Sequence, residues 1–299
     1  MSATPDMSIS EILSGKSGKD ENFPVASRLI APKHRGIILA FYRFVRAADD
    51  VVDHATLTAV QKHAMMDRLE AGLRGQASEP EAEPLRLALA ARGMAPQHAL
   101  DMLVAFRRDI DKARTANWDE LIDYCRYSAM PVGRFVLDVH GEDKRLLGAN
   151  DALCAALQII NHVQDCAKDF HQIDRIYLPE DGMARHGVMP ADLGASAASP
   201  ALRALFEEIL TKTHELLAES APFARDIHDP RLALEVAVIQ SVAERLTRLL
   251  QTRDPLSQKV HLSKAQYALT GLWGAGRMAF RRFVGGTGPQ SAVPGDHAR

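Results

Sequence analysis

Cysteine is scarce: Cys125, Cys154 and Cys166 are the only three in 299 residues. Their number is odd, their spacing suits no metal site and each lies in a helical pattern. They therefore read as small buried residues in a reducing compartment, not as a disulfide framework or zinc ligands. No run of eighteen apolar residues occurs, which excludes a hydropathy-driven membrane span. No Lys/Arg block appears and the formal net charge is -2, so the electrostatic footprint of a nucleic-acid binder is missing and no nucleic-acid partner is expected. Period-two alternation is also absent. The segment RIYLP (175–179) is too short to build a sheet. The N-terminal stretch is polar and lacks the apolar centre of a signal peptide. These absences predict a soluble, cytoplasmic, all-α protein, with a peripheral contact at the inner membrane surface left open. No basic amphipathic anchor stands out.

What is present is a chain 46% hydrophobic and 25% charged, enough for one large core. Pro32 suits a first helical turn. Ile37, Ile38, Phe41, Phe44, Val45, Ala48 and Val52 follow at helical spacing. Thr56 or Thr58 caps a second helix ending near Gly75. Gln76–Pro84 is a polar linker, followed by a short helix and another from Pro96 to about Ala113. A long helix starts at Asn117, and Pro131 kinks it in the middle. Asn150 or Asp151 opens the next helix. Residues 175–200 form the longest irregular stretch. Helices resume over about 200–221, 230–253 and 262–284. The fold expected is a single large helical bundle with a central apolar cavity: a mobile arm over 1–21, a bundle domain over 22–285 and a disordered tail over 286–299.

Two stretches concentrate polar residues inside apolar helical patterns. AFYRFVRAADDVVD (40–53) holds Asp49 and Asp53, and NHVQDCAKD (161–169) holds Asp165 and Asp169. Residues i and i+4 share one helix face. Either pair alone would be read as a solvated, salt-bridged surface. Their apolar flanks, and the further polar residues at four-residue steps (Tyr42 and Arg46 before the first, Asn161 before the second), favour facing acidic patches on two core helices. Hard carboxylate oxygens across a cavity suit a diphosphate bridged by several Mg²⁺ ions. An apolar cavity behind them suits carbocation chemistry on a long hydrocarbon, with water held back until the cation has rearranged.

AFYRFVRAADDVVD, YCRYSAMPVG (124–133), LQIINHVQDCAKD (157–169) and RIYLP, in that order, resemble the squalene/phytoene synthase family over roughly residues 22–275. The resemblance implies an all-α isoprenoid synthase fold and Mg²⁺-dependent chemistry on prenyl diphosphates. It implies metal binding by Asp49, Asp53, Asp165, Asp169 and Asn161, with Asp50 beside the first pair. It implies diphosphate binding by Tyr42 and Arg46, a cavity-facing Tyr124, and substrate contacts from Arg175 and Tyr177 at the mouth. The variant pattern ENFPVAS, RAADDVVDH, QDCAKD and RDPL looks like the hopanoid-pathway branch, whose reaction converts presqualene diphosphate to hydroxysqualene with water and without a reductant. Three positions depart from the usual family pattern: Asn22-Phe23 for Ser-Phe, Gln164-Asp165 for Arg-Asp, and Met130-Pro131 before Val-Gly. They weigh against the first half-reaction, in which two diphosphates are held at once.

Two alternatives stand beside that expectation. One is condensation of two farnesyl diphosphates, or complete squalene or phytoene synthesis; squalene would need a hydride donor, and no nicotinamide site is seen. The other is a catalytically dead assembly or scaffold homologue, disfavoured because all four aspartates remain. Sister synthases of the pathway are a partner the sequence does not mark. GLWGAGRM (271–278) has no preceding strand and reads as close helix packing. His162 is expected to be structural, Lys168 to balance the aspartates, and Trp118 and Trp273 to be packing residues.

Overall fold

The computed structural model describes residues 8–12 and 29–285. The tail expected over 286–299, the Asn22-Phe23 departure and most of the arm over 1–21 lie outside the described residues. Of the arm, a short 3-10 turn at Ile9–Glu11 is described, with Ile9 and Ile12 buried.

The architecture is an all-α bundle. Helix α1 (Pro32–Asp53) carries Pro32 in its first turn and buries Ile37, Ile38, Phe41, Phe44, Ala48, Val51 and Val52 on one stripe. Helix α2 (Ala59–Leu73) opens with a capping box: the Thr58 hydroxyl accepts from the Gln61 backbone N–H and the Gln61 side chain accepts from the Thr58 N–H. Helices α3 (Glu83–Ala90) and α4 (Gln97–Asp111) follow. The expected long helix with a kink at Pro131 is instead two helices, α5 (Trp118–Ser128) and α6 (Met130–His140), broken at Ala129, whose φ of -125° leaves the helical region. Pro131 sits in the first turn of α6, where its missing N–H costs no hydrogen bond.

Helix α7 (Leu147–Ile173) starts a turn earlier than Asn150. Asp151 is no cap: both of its carboxylate oxygens accept from Arg134, at 2.9 and 2.5 Å, which ties α7 to α6. The two helices approach closely at Gly133, where a Cβ would come within 2.0 Å of Asn150 Oδ1. Helix α7 ends at Asp174, whose φ of 49° turns the chain sharply. Residues 175–200 are more regular than expected. They hold strand β2 (Ile176–Pro179), helix α8 (Glu180–His186) and a 3-10 turn at Pro190–Gly194. RIYLP does find a partner: β2 lies parallel to the two-residue β1 (Arg114–Thr115). Helices α9 (Pro200–Glu219), α10 (Phe223–Asp226), α11 (Pro230–Thr252) and α12 (Lys264–Gly285) complete the described residues.

Two apolar clusters make the core. One joins α1 to α4 with Phe135 and Val139 of α6. The other joins α5, α7, α9 and α11 around Ile159, Ile160, Phe206, Leu210 and Leu246. Each fully buried Leu, Ile or Phe contributes about 1.5–3 kcal/mol. The clusters meet along α6 and α7, and a cavity opens at that seam. All three cysteines are unpaired, and burial raises each thiol's pKa. No helix among the described residues is long and apolar enough to cross a membrane. Trp118 packs against the core as expected, but Trp273 does not: it is 61% exposed.

Candidate active site

The seam cavity has a volume of about 290 Å³. Its walls are apolar and come from both clusters: Phe41 and Val45 of α1, Phe135 of α6, Leu153 and Leu157 of α7, Val236 and Ile239 of α11. Its polar edges include Tyr42 on α1 and Asn161 on α7. The helical rise carries α1 and α7 on from there to their aspartates. On α1, Arg46 pairs with Asp49 at 2.9 Å and with the buried Asp50 at 3.0 Å. On α7, Lys168 lies 3.9 Å from Asp165. The sequence-level expectation for Lys168 matches this balancing position.

The two acidic motifs face one another at Asp53 and Asp169. Burial pushes the Asp169 carboxyl up to about 7; Asp165 and Asp53 add to the rise, while Lys168 and Arg175 oppose it. Arg175 lies 3.6 Å from Asp53. The donors on this rim are carboxylate and amide oxygens, the set hard cations take, and the mutual repulsion of the acids is what a bound cation relieves. The residues therefore fit Mg²⁺. The compact three-ligand group among the described residues lies elsewhere: His34, His140 and Asp229 hold donor atoms within 4.8 Å of one another. His34 is nineteen residues before Asp53 on α1, about 28 Å along the helix axis, so that group is separate from the rim.

Tyr124, Arg175 and Tyr177 do not line the apolar cavity. They line a neighbouring polar cleft of about 530 Å³, with Asp109 of α4. The β1–β2 ladder explains their position. Strand alternation turns Ile176 and Leu178 into the core and Arg175 and Tyr177 to the other side. There Tyr124 donates to Asp109 Oδ2 at 2.8 Å and Tyr177 to Oδ1 at 3.2 Å, while Arg175 donates to the Asp109 carbonyl at 2.9 Å. Burial pushes the Asp109 carboxyl up to about 6 despite Arg175 and the two phenols. Consecutive residues of α7 touch the two spaces. Asn161 lines the cavity, and His162 stacks on Tyr177 with ring centroids 3.7 Å apart. Burial, aided by Arg175, pushes His162 down to about 3, so it is a neutral packing ring, as expected.

Asp109 lies in none of the motifs that the sequence marks, yet it holds both phenols and Arg175. Its signal was available: Met102, Phe106 and Asp109 fall on the buried stripe of α4. Gln164, in place of a family arginine, is buried and donates its amide to the Val260 carbonyl. It therefore pins the segment after α11 over α7 beside Asp165. Buried Glu235 and Asn150 also line the cavity, and no periodicity argument singled them out.

Residues 17–266 match the squalene/phytoene synthase family. The chain is 52% identical over 285 residues to a hydroxysqualene synthase of Rhodopseudomonas palustris, covering 95% of this chain and 97% of the relative. It is 51% identical over 258 residues to a hydroxysqualene synthase of Zymomonas mobilis, covering 85% and 87%. Among solved structures, a squalene synthase of Alicyclobacillus acidocaldarius superposes with a TM-score of 0.63 at 27% identity, covering 87% of this chain and 88% of that one.

Proposed function

The chain belongs to the squalene/phytoene synthase family, and from that membership we propose that it converts presqualene diphosphate and water to hydroxysqualene and diphosphate. The observation that carries the reading is the union of an acidic rim with an apolar seam cavity, in a chain about half identical to relatives named for that product.

Presqualene diphosphate lays its two hydrocarbon arms along Phe41, Val45, Leu153, Leu157 and Val236, where burial replaces water contact. Tyr42 and Arg46 hold the diphosphate by hydrogen bond and charge; Arg46 is already oriented by Asp49 and Asp50. Asp49, Asp53, Asp165, Asp169 and Asn161 would hold Mg²⁺, which would supply positive charge to offset the leaving diphosphate. The carbon–oxygen bond breaks with both electrons going to the diphosphate oxygen. The apolar stretch of wall formed by Phe41, Val45, Leu153, Leu157 and Val236 keeps water from the cyclopropylcarbinyl cation while it opens its ring; Glu235 is the carboxylate that lines the same cavity. A water oxygen then forms the new carbon–oxygen bond and gives up a proton to solvent or the departing diphosphate. Arg175 neutralises Asp53 from the cleft side, and Asp109 fixes the phenols of Tyr124 and Tyr177 beside the rim.

The test offers the purified protein, with Mg²⁺ and no NADPH, presqualene diphosphate or farnesyl diphosphate, and reads the lipids by mass spectrometry. Hydroxysqualene from presqualene diphosphate alone supports the reading. Presqualene diphosphate made from farnesyl diphosphate would move the chain to condensation.

A further inference from the structure

Helix α12 packs the wrong way round for a water-facing surface helix. It meets α11 through its small residues. A Cβ on Gly274 would come within 2.2 Å of Ser241 Oγ and 2.8 Å of the Ala237 carbonyl, and one on Gly271 within 3.1 Å of Val238. The large apolar side chains point the other way: Leu269, Leu272 and Trp273 are 71%, 73% and 61% exposed. Spaced i, i+3 and i+4, they form one face. Elsewhere among the described residues, the strongly exposed large apolar side chains Val60, Leu87 and Met189 each belong to a different segment, α2, α3 and the loop after α8.

The charge on this helix has one sign. Its 22 residues include Lys264, Arg277, Arg281 and Arg282 and no aspartate or glutamate. Arg277 lies over the Trp273 ring at 5.0 Å and pairs with Glu244 of α11 at 3.1 Å; the other three cations have no acidic residue on their own helix. An apolar face of Leu and Trp on a cationic, carboxylate-free helix is the composition that partitions into an anionic bilayer interface. The start of the helix is well defined, because the Ser263 hydroxyl accepts from the Gln266 N–H and the Gln266 side chain accepts from the Ser263 N–H. It is also tied to the acidic rim: Gln164, next to Asp165, holds the Val260 carbonyl four residues upstream.

We infer that the Leu269–Leu272–Trp273 face of α12 docks the protein on an anionic phospholipid bilayer. The close helix packing expected of residues 271–278 is made by Gly271 and Gly274, and it is this that turns the leucines and Trp273 outward. The docking itself does not depend on the proposed reaction, although a lipid substrate and product give it a purpose.

The full chain is mixed, without substrate, with vesicles of phosphatidylcholine containing 30% phosphatidylglycerol or of phosphatidylcholine alone, and floated on a density gradient. At least tenfold stronger binding to the anionic vesicles is expected. Leu272→Glu/Trp273→Glu should lose at least tenfold of it with unchanged circular dichroism. In a Trp118→Phe variant, Trp273 is the sole tryptophan and its emission should shift to the blue on the anionic vesicles. Equal flotation of wild type and the double variant, or an unshifted emission, overturns the inference. So does a wild-type dimer in vesicle-free buffer that the double variant makes monomeric, since a second copy would then cover this face.

Discussion

Replacing Asp109 by asparagine removes a buried charge while keeping the shape of the side chain. The carboxyl is 8% exposed and its pKa rises from an ordinary 3.8 to about 6. Between those values the folded protein keeps a proton that the unfolded chain releases. Stability therefore falls as pH rises through that window, and the loss is complete above about pH 6. At ~1.4 kcal/mol per pH unit the rise corresponds to about 3 kcal/mol, already net of help from Arg175, Tyr124 and Tyr177. Asp109→Asn should thus be more stable than wild type at pH 7.5, by about 1–3 kcal/mol after allowing for one weakened phenol hydrogen bond. The gain should vanish near pH 4, where the wild-type carboxyl is protonated. Asp169 titrates in an overlapping range, but it is present in both proteins and cancels in the difference. Turnover should move the opposite way. An amide presents an accepting oxygen and a donating NH₂ where the carboxylate presents two accepting oxygens, so one of Tyr124 and Tyr177 must turn its hydroxyl from donating to accepting, and a drop of about tenfold or more, equivalent to ~1.4 kcal/mol, is expected. Urea denaturation at pH 4.5 and 7.5, run beside turnover of presqualene diphosphate, reads both. A variant less stable than wild type by the same amount at both pH values would refute the reasoning that Asp109 is a destabilising charge kept for positioning.

Asp49→Asn and Asp165→Asn should each abolish turnover with the helical circular dichroism intact, and chelation with EDTA should do the same reversibly; full activity in any of the three would remove the metal assignment. Gly133→Leu should drive a side chain into Asn150 and Cys154, destabilising by at least about 1–3 kcal/mol in thermal melts; an unchanged melting temperature would show that α6 and α7 can separate freely. Phe44→Ala, at a position with no exposure, should cost about 3–5 kcal/mol in the same assay, and a cost under about 1 kcal/mol would mean the first apolar cluster is loosely packed.

The helices carrying the site were legible because their periodicity is strong. Ile37 to Val52 fixes the buried stripe of α1, and that stripe decides where Tyr42, Arg46, Asp49 and Asp53 can point. The same holds for Asn161, Asp165 and Asp169 on α7. What the sequence hid depends on contacts between distant segments. Asp109 becomes a site residue only when β2 pairs with β1 and delivers Arg175 and Tyr177 to it, sixty-six and sixty-eight residues along the chain. The break at Ala129 is a backbone choice made by packing; Pro131 alone is equally compatible with a kink. The face of α12 could not be assigned because two glycines and two leucines share its repeat, and the close approach of α11 selects the glycines. Gln164 shows that a departure from a family pattern can be a structural hydrogen bond to a neighbouring segment.

The central claim is that a cation formed in the seam cavity is captured by water. The direct measurement is a turnover of presqualene diphosphate by the purified protein in H₂¹⁸O with Mg²⁺ and no reductant. The account predicts hydroxysqualene heavier by one ¹⁸O and diphosphate released in equal amount. Unlabelled hydroxysqualene, or squalene as the sole product, would contradict it.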